Sequence, residues 1–254
     1  MPHLKLIARL TAVAGLSAQD SDKLGVIPHT IHLLEHGEYL LRLGDHPFSS
    51  SIVISGVIAR QKTVRDRNQI SSFYLPGDMP DLQTLQIPIA DHDFCSIGDT
   101  AIASIPHAYL RELMHGSSEL TEVFWRESLL QGALYCEWVN NLGSRPALER
   151  IAHLLCELAS RLEIVGLCQN RAAFEVPFRQ LDIAEALGLS TVHVNRSLQE
   201  LRRRGLIEWE GHAVRLLQRQ RLEQICEFTT EYLYARRAVP PAHNVVGIGR
   251  TRPQ

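Results

Sequence analysis

The chain has no Cys-x-x-Cys pair, no apolar run near the length of a membrane span, and no Lys or Arg between Asn68 and Leu110. Each absence removes a class of function. The five cysteines (Cys95, Cys136, Cys156, Cys168 and Cys226) are odd in number and scattered. They fit no disulfide framework, zinc site or four-thiolate iron–sulfur cluster, and read as buried free thiols of a reducing cytoplasm. A membrane helix needs about 20 successive apolar residues. The N-terminus places Lys5 and Arg9 ahead of LTAVAGLSA, which has the outline of an export signal. Leu6, Ile7, Leu10, Val13 and Leu16 fall instead at helical spacing, so a helix of the folded protein is expected. No nucleophile, base and orienting group stand in a pattern that would suggest an enzyme.

What remains is ordinary globular material of 254 residues, 45% hydrophobic and 21% charged, enough for two domains. The net charge of −2 conceals a division. Residues 1–170 carry 13 Lys and Arg against 19 Asp and Glu, whereas residues 171–254 carry 13 Arg, no Lys and 9 acidic residues. An arginine-only back half points to one domain that meets a polyanion.

From about Gly37 to His107 the sequence reads as short strands punctuated by Gly, Asp and Pro. GEYLLRLGD, SSIVISGVIARQ and QISSFYLPGD are the clearest, and their spacing suggests a sandwich or jelly roll. After Ser118 breakers become rare. Leu120, Phe124, Leu130, Leu134 and Trp138 lean to one side of a long helix, a stripe that Glu127 and Gly132 weaken. Asn-Leu-Gly-Ser at 141–144 is expected to interrupt it, with Gly143 as a hinge. Pro146 then suits the first turn of a helix whose face is Leu148, Ile151, Leu155, Leu158 and Leu162.

The stretch LDIAEALGLSTVHVNRSLQELRRRGLI (181–207) carries the chemistry. Leu181, Ile183, Ala184 and Leu187 are expected to face inward on one helix. Gly188 supplies a left-handed corner, Ser190 caps the next helix, and Val194, Leu198 and Leu201 are its inner face. Ala, then Gly four later, then an apolar residue six further on, is helix-turn-helix spacing. Thr191, Val192, His193, Asn195, Arg196 and Gln199 are left on the flanks and outer side. Arg202, Arg203 and Arg204 follow where phosphates would lie. EWEGHAVRLL is expected to form a hairpin at Gly211, a wing, and RLEQICEFTTEYLY a closing helix.

From about residue 20 to 220 the chain resembles the Crp–Fnr family of transcription regulators. HVNRSLQELRRRGLI is similar to that family's recognition helix and the start of its wing. The pattern Gly37–Asp45, the ISG of 54–56 and the LPGD of 75–78 are similar to turns of its cyclic-nucleotide-binding-like β-roll. The resemblance implies an α+β protein with an N-terminal jelly-roll-like β-roll (1–117), a long dimerisation helix and hinge (118–144), and a C-terminal winged helix-turn-helix (145–235). Residues 236–254 read as a disordered tail. It implies a homodimer on a palindromic operator of double-stranded DNA, with RNA polymerase as a partner and no membrane. Thr191, Val192, His193, Asn195 and Arg196 are assigned to base edges. Arg179, Gln180, Ser190, Gln199, Arg202, Arg203 and Arg204 are assigned to phosphates.

Two departures from the family pattern stand out. The span that carries the cyclic AMP grip in nucleotide-binding members has no cation here, so a phosphate would lack its guanidinium and another effector, or none, is expected. Val192 also stands where many members have a Glu that accepts from a base amine. The iron–sulfur cysteines of the oxygen-sensing branch are missing near the N-terminus as well. His29, His32, His36 and Glu38 crowd together ahead of the strands, faintly like cupin metal ligands, which would make the roll an enzyme fused to a DNA-binding domain. Their imperfect alternation, and the Gly-Glu turn that accounts for Glu38, leave no metal or other cofactor assigned. A roll that binds only protein, without a ligand, is the third reading.

Overall fold

The computed structural model describes residues 3–233, so the tail at 236–254 lies outside the described residues. Helices α1 (His3–Ala14) and α2 (Ala18–Gly25) lead into strands β1 (Thr30–Leu34), β2 (Tyr39–Leu41), β3 (Ser49–Val64), β4 (Arg67–Tyr74) and β5 (Asp93–Pro106). These form one antiparallel sheet in the order β1-β5-β3-β4, with β2 also on β5, rolled around Val53, Ile58, Tyr74, Phe94 and Ile102. The sheet begins earlier than expected, because TIHLL is an edge strand whose Ile31 and Leu33 stay exposed. Strand β3 slips register on both sides of Ser55. Gly56 sits there at φ +80, and a β-carbon would lie 2.4 Å from Thr100 Oγ1, so glycine is required by both backbone and space. The β3–β4 hairpin turns through Arg65 and Asp66, both at positive φ, the mark of a type I′ turn.

Helix α3 (His107–His115) is followed by α4 (Ser118–Ser144), which Ser117 caps through Leu120 N. Asn-Leu-Gly-Ser does not interrupt α4. The helix runs through it and stops at Arg145, because the residue before Pro146 is pushed out of helical geometry. Pro146 is the N-cap of α5 (Ala147–Ile164). Beyond lie β6 (Ala173–Glu175), α6 (Gln180–Leu187), α7 (Thr191–Arg203), β7 (Ile207–Glu210), β8 (Ala213–Leu216) and α8 (Arg219–Ile225). The closing helix is shorter than the sequence suggests, ending at Cys226, with Glu227 left-handed at φ 51.

The roll and the C-terminal half share one core. Val57, Ile70, Phe73 and Leu75 of the roll pack with Trp138 of α4, Leu155 and Leu158 of α5, and Ile183 and Leu187 of α6. Phe73 stacks on Phe178 at 4.4 Å between centroids and meets Trp138 edge-on at 5.6 Å. Beside this core runs a buried ionic chain. Asp78, the last residue of LPGD, accepts from Arg9 Nε of α1 at 3.0 Å and from Arg161 Nη2 of α5 at 2.6 Å. Arg9 also donates to Glu127 of α4 at 2.8 Å, and Arg161 to Glu157 at 3.2 Å. Glu127 therefore belongs to the buried stripe that it was expected to weaken, since it faces a guanidinium. The five cysteines do not all pack inside: Cys136 is exposed on α4. No helix among the described residues is long and apolar enough to cross a membrane.

Candidate nucleic-acid interface

Helix α6 starts where Asp182 Oδ2 accepts the Arg179 backbone N–H at 2.7 Å. It ends in Gly188 at φ 61, ψ 35, with Leu189 N reaching back to Ala184 O at 3.0 Å, a Schellman closure. Ser190 then caps α7, its Oγ accepting from His193 N at 3.3 Å. Ile183, Ala184, Ala186 and Leu187 are buried against Val194, Leu198 and Leu201. Leu181, expected on that inner face, is 48% exposed, and Ala186 takes its place. The reason is helical phase: 183, 186 and 187 share a side that 181 leaves by half a turn.

Of the residues assigned to base edges, Thr191, Val192, His193 and Arg196 are exposed, Val192 at 65%. Asn195 is half-buried and its Nδ2 donates to Gln180 Oε1 at 3.4 Å. His193 Nδ1 sits 3.1 Å from Ser190 Oγ. The residues assigned to phosphates divide. Gln199 is exposed, while Arg179 leans on Asp182 at 3.3 Å. Arg203 and Arg204 both hold Glu200, at 2.7 Å each, and their hydrogen bonds pull its carboxyl down to about 2. Arg202 donates to Trp209 O at 2.9 Å, tying α7 to the hairpin. The three arginines thus come with an ionised carboxylate between two of them, which sequence order alone did not reveal. The hairpin itself turns at Gly211 as expected, but Glu208 and Glu210 are exposed on it beside His212 and Arg215. Its Arg215 is paired with Glu208 at 3.1 Å. Arg196 stands apart from these pairs, exposed on α7 nearer its N-terminus.

Residues 149–225 match the Crp-like helix-turn-helix domain. Over 204 residues the chain is 29% identical to the transcriptional activator protein FnrA of Stutzerimonas stutzeri, covering 80% of this chain and 82% of that one. It is 25% identical to the transcriptional activator protein FnrL of Cereibacter sphaeroides over 76% and 79% of the two chains. The solved structure of FixK2 from Bradyrhizobium japonicum superposes with a TM-score of 0.70 at 24% identity, over 78% of this chain and 98% of that one. A Crp-family transcriptional regulator of Thermus thermophilus superposes with a TM-score of 0.61 at 19% identity, over 79% and 99%. Residues 149–225 are thus a Crp-like helix-turn-helix domain, and over most of its length the chain is similar to Fnr-type transcriptional activators.

The C-terminal half is therefore a Crp-like helix-turn-helix unit, and the roll lies ahead of it. The span 68–110 does lack a cation, yet Arg60 of β3 reaches the side of the roll that faces α4. Its guanidinium lies 4.8 Å from the centre of the Tyr135 ring of α4, pairs with Asp91 and contacts His92 Nδ1 at 3.0 Å. Beside it Tyr74 OH and Tyr135 OH share a hydrogen bond of 2.7 Å, and burial, then Tyr135, pushes the Tyr74 phenol well up. A guanidinium is present, then, but committed to a carboxylate and an aromatic face. It stands on β3, outside the span 68–110. The histidines ahead of the roll do not converge. His29 Nδ1 meets Ile27 O, His36 Nδ1 accepts from Gly98 N, and Glu38 accepts from Glu35 N. Among the described residues no three His, Cys, Asp or Glu side chains form a metal set.

Proposed function

We propose that this protein is a cytoplasmic homodimer that reads a palindromic operator through α7 and regulates the promoter by contact with RNA polymerase, with an effector other than cyclic AMP. In this reading the roll is residues 1–117, the dimer helix 118–144 and the DNA-binding domain 145–235. Thr191, Val192, His193, Asn195 and Arg196 meet base edges. Arg179, Gln180, Ser190, Gln199, Arg202, Arg203 and Arg204 meet phosphates. Arg60 is paired with Asp91 and lies over the Tyr135 ring, so a cyclic phosphate would have to displace that carboxylate, which supports the effector part.

The observation that carries the dimer is the outer face of α4. Trp125, Leu129 and Val139 are 67%, 62% and 67% exposed, and with the exposed Gly132 and Cys136 they recur at steps of four and three. That is a heptad seam, the pattern by which one helix covers another. A β-carbon on Gly132 would meet nothing within 4 Å, so the seam is open in the single chain. A second copy supplies the same seam by symmetry. Sedimentation velocity tests this directly. Wild type is expected to run as a dimer at micromolar concentration, and Leu129→Glu as a folded monomer with operator affinity lowered at least tenfold. A wild-type monomer that binds DNA fully would overturn the reading.

A further inference from the structure

The roll carries more acid than base, yet one end of it does not. Between Asp45 and Asp78 the only acidic residue is Asp66, whereas Arg60, Lys62, Arg65 and Arg67 fall within eight positions. Arg60 turns inward to Asp91 and Tyr135, and the other three are exposed at the end of the β3–β4 hairpin. None of these three forms an ion pair among the described residues. In this they differ from the arginines around α7, where Arg179, Arg203 and Arg204 each hold a carboxylate. Helix α6 fixes where the hairpin lies. Asn68 Nδ2 donates to Glu185 Oε2 at 2.7 Å, and Gln69 Nε2 to the Ala186 carbonyl at 3.3 Å. From Gln69 to Asn68, toward the tip, the contact moves from Ala186 to Glu185, toward the start of α6. That start is on the reading side, since Gln180 Oε1 accepts from Asn195 Nδ2 of α7 at 3.4 Å. Gln180 is about 7.5 Å along the axis of α6 from Glu185. Two residues of strand beyond Asn68, at about 3.3 Å each, and the length of an arginine side chain cover that distance.

We propose that the tip of the β3–β4 hairpin is a second DNA-contacting element, in which Lys62, Arg65 and Arg67 meet backbone phosphates flanking the half-site that α7 reads. This rests on the reading of α7 given above and adds to it a contact made by the roll. Phosphates recur at every step of a duplex and carry no sequence. The hairpin should therefore add affinity and salt dependence without changing the bases selected. Because the same hairpin holds α6 through Asn68 and Gln69, the roll and the helix-turn-helix meet the duplex as one surface.

The test is fluorescence anisotropy of the full-length protein on the duplex that wild type enriches from a randomised library. That duplex is made at about 20 bp, the two half-sites alone, and at about 40 bp, with flanks on both sides. The variant combines Lys62→Gln, Arg65→Asn and Arg67→Gln, asparagine being chosen because position 65 is left-handed at φ 50. At about 0.1 M salt it should bind the longer duplex about tenfold more weakly than wild type, with a salt slope smaller by about 2–5. On the shorter duplex it should stay within about twofold of wild type. Asp66→Asn, at a position left-handed at φ 62, removes the only carboxylate of the tip and should tighten the longer duplex about threefold. Misfolding cannot produce such a gain. Arg196→Ala is the control and should weaken both lengths alike. The proposal is overturned if the triple variant matches wild type on both duplexes, or loses equally on both. Either result sinks the hairpin alone, whereas a wild type that enriches no sequence sinks the reading of α7 and the hairpin with it.

Discussion

Asp81 shows at the scale of one residue how far burial can move a charge. It follows the LPGD turn by three positions, is 1% exposed, and has a carboxyl raised to about 7 by burial, against the opposing hydrogen bond from Ser51 N at 2.7 Å. The folded state therefore keeps a proton that the unfolded chain releases near pH 4. Stability should fall as pH rises from about 4 to 7 and then level off, with a total cost of a few kcal/mol. Asp81→Asn keeps the acceptor for Ser51 and removes the charge. Denaturant unfolding at a series of pH values should find the variant equal to wild type near pH 4 and more stable by pH 8. A constant difference across that range would contradict the account. Nothing in the sequence marks Asp81 as different from Asp91 or Asp93, because burial is set by strands distant in the chain. Val192 and Arg196, by contrast, were legible, since their exposure follows from helical phase relative to Val194, Leu198 and Leu201.

Among the elements, the α6–α7 corner depends on a single backbone conformation. Gly188 is left-handed, and a β-carbon there would meet only Leu142 Cδ2 at an ordinary 3.7 Å. The cost of Gly188→Ala is then conformational rather than steric, about 1–2 kcal/mol, with α7 still correctly placed. Urea unfolding should show that loss with an unchanged m-value. A loss near zero would mean that the corner is not left-handed in solution. This corner was readable because cap, turn and apolar face all lie within 20 residues. The extent of α4 was not. Asn141 and Gly143 are poor helix formers, but Asn141 is buried and its Nδ2 donates to Arg150 O at 3.3 Å, a tertiary contact that outweighs local preference. Edge strand β1 was missed for the opposite reason, since its exposed Ile31 and Leu33 give no inward-facing alternation.

At the scale of the whole molecule, the roll, the long helix and the DNA-binding half are held together by pairs that sequence cannot announce. Arg161 and Asp78 are 83 positions apart, and each looks like surface charge until the fold brings them together. Asp78→Ala would leave Arg9 and Arg161 without the carboxylate between them, and should cost about 3–5 kcal/mol of stability in calorimetry or denaturant unfolding. A change below 1 kcal/mol would mean that water replaces the pair. With that frame intact, α7 is held at a fixed place on the chain, and in the dimer proposed above the α4 seam sets the spacing of two such helices. Selection of bound duplexes from a randomised library therefore tests the central claim most directly. Wild type should enrich an inverted repeat with half-site centres about 10 bp apart, and Arg196→Ala should lose preference at one guanine in each half-site, symmetrically. Val192→Glu should shift one position toward an amine-bearing base. Enrichment of single, unpaired sites, or half-sites unchanged by both substitutions, would contradict it.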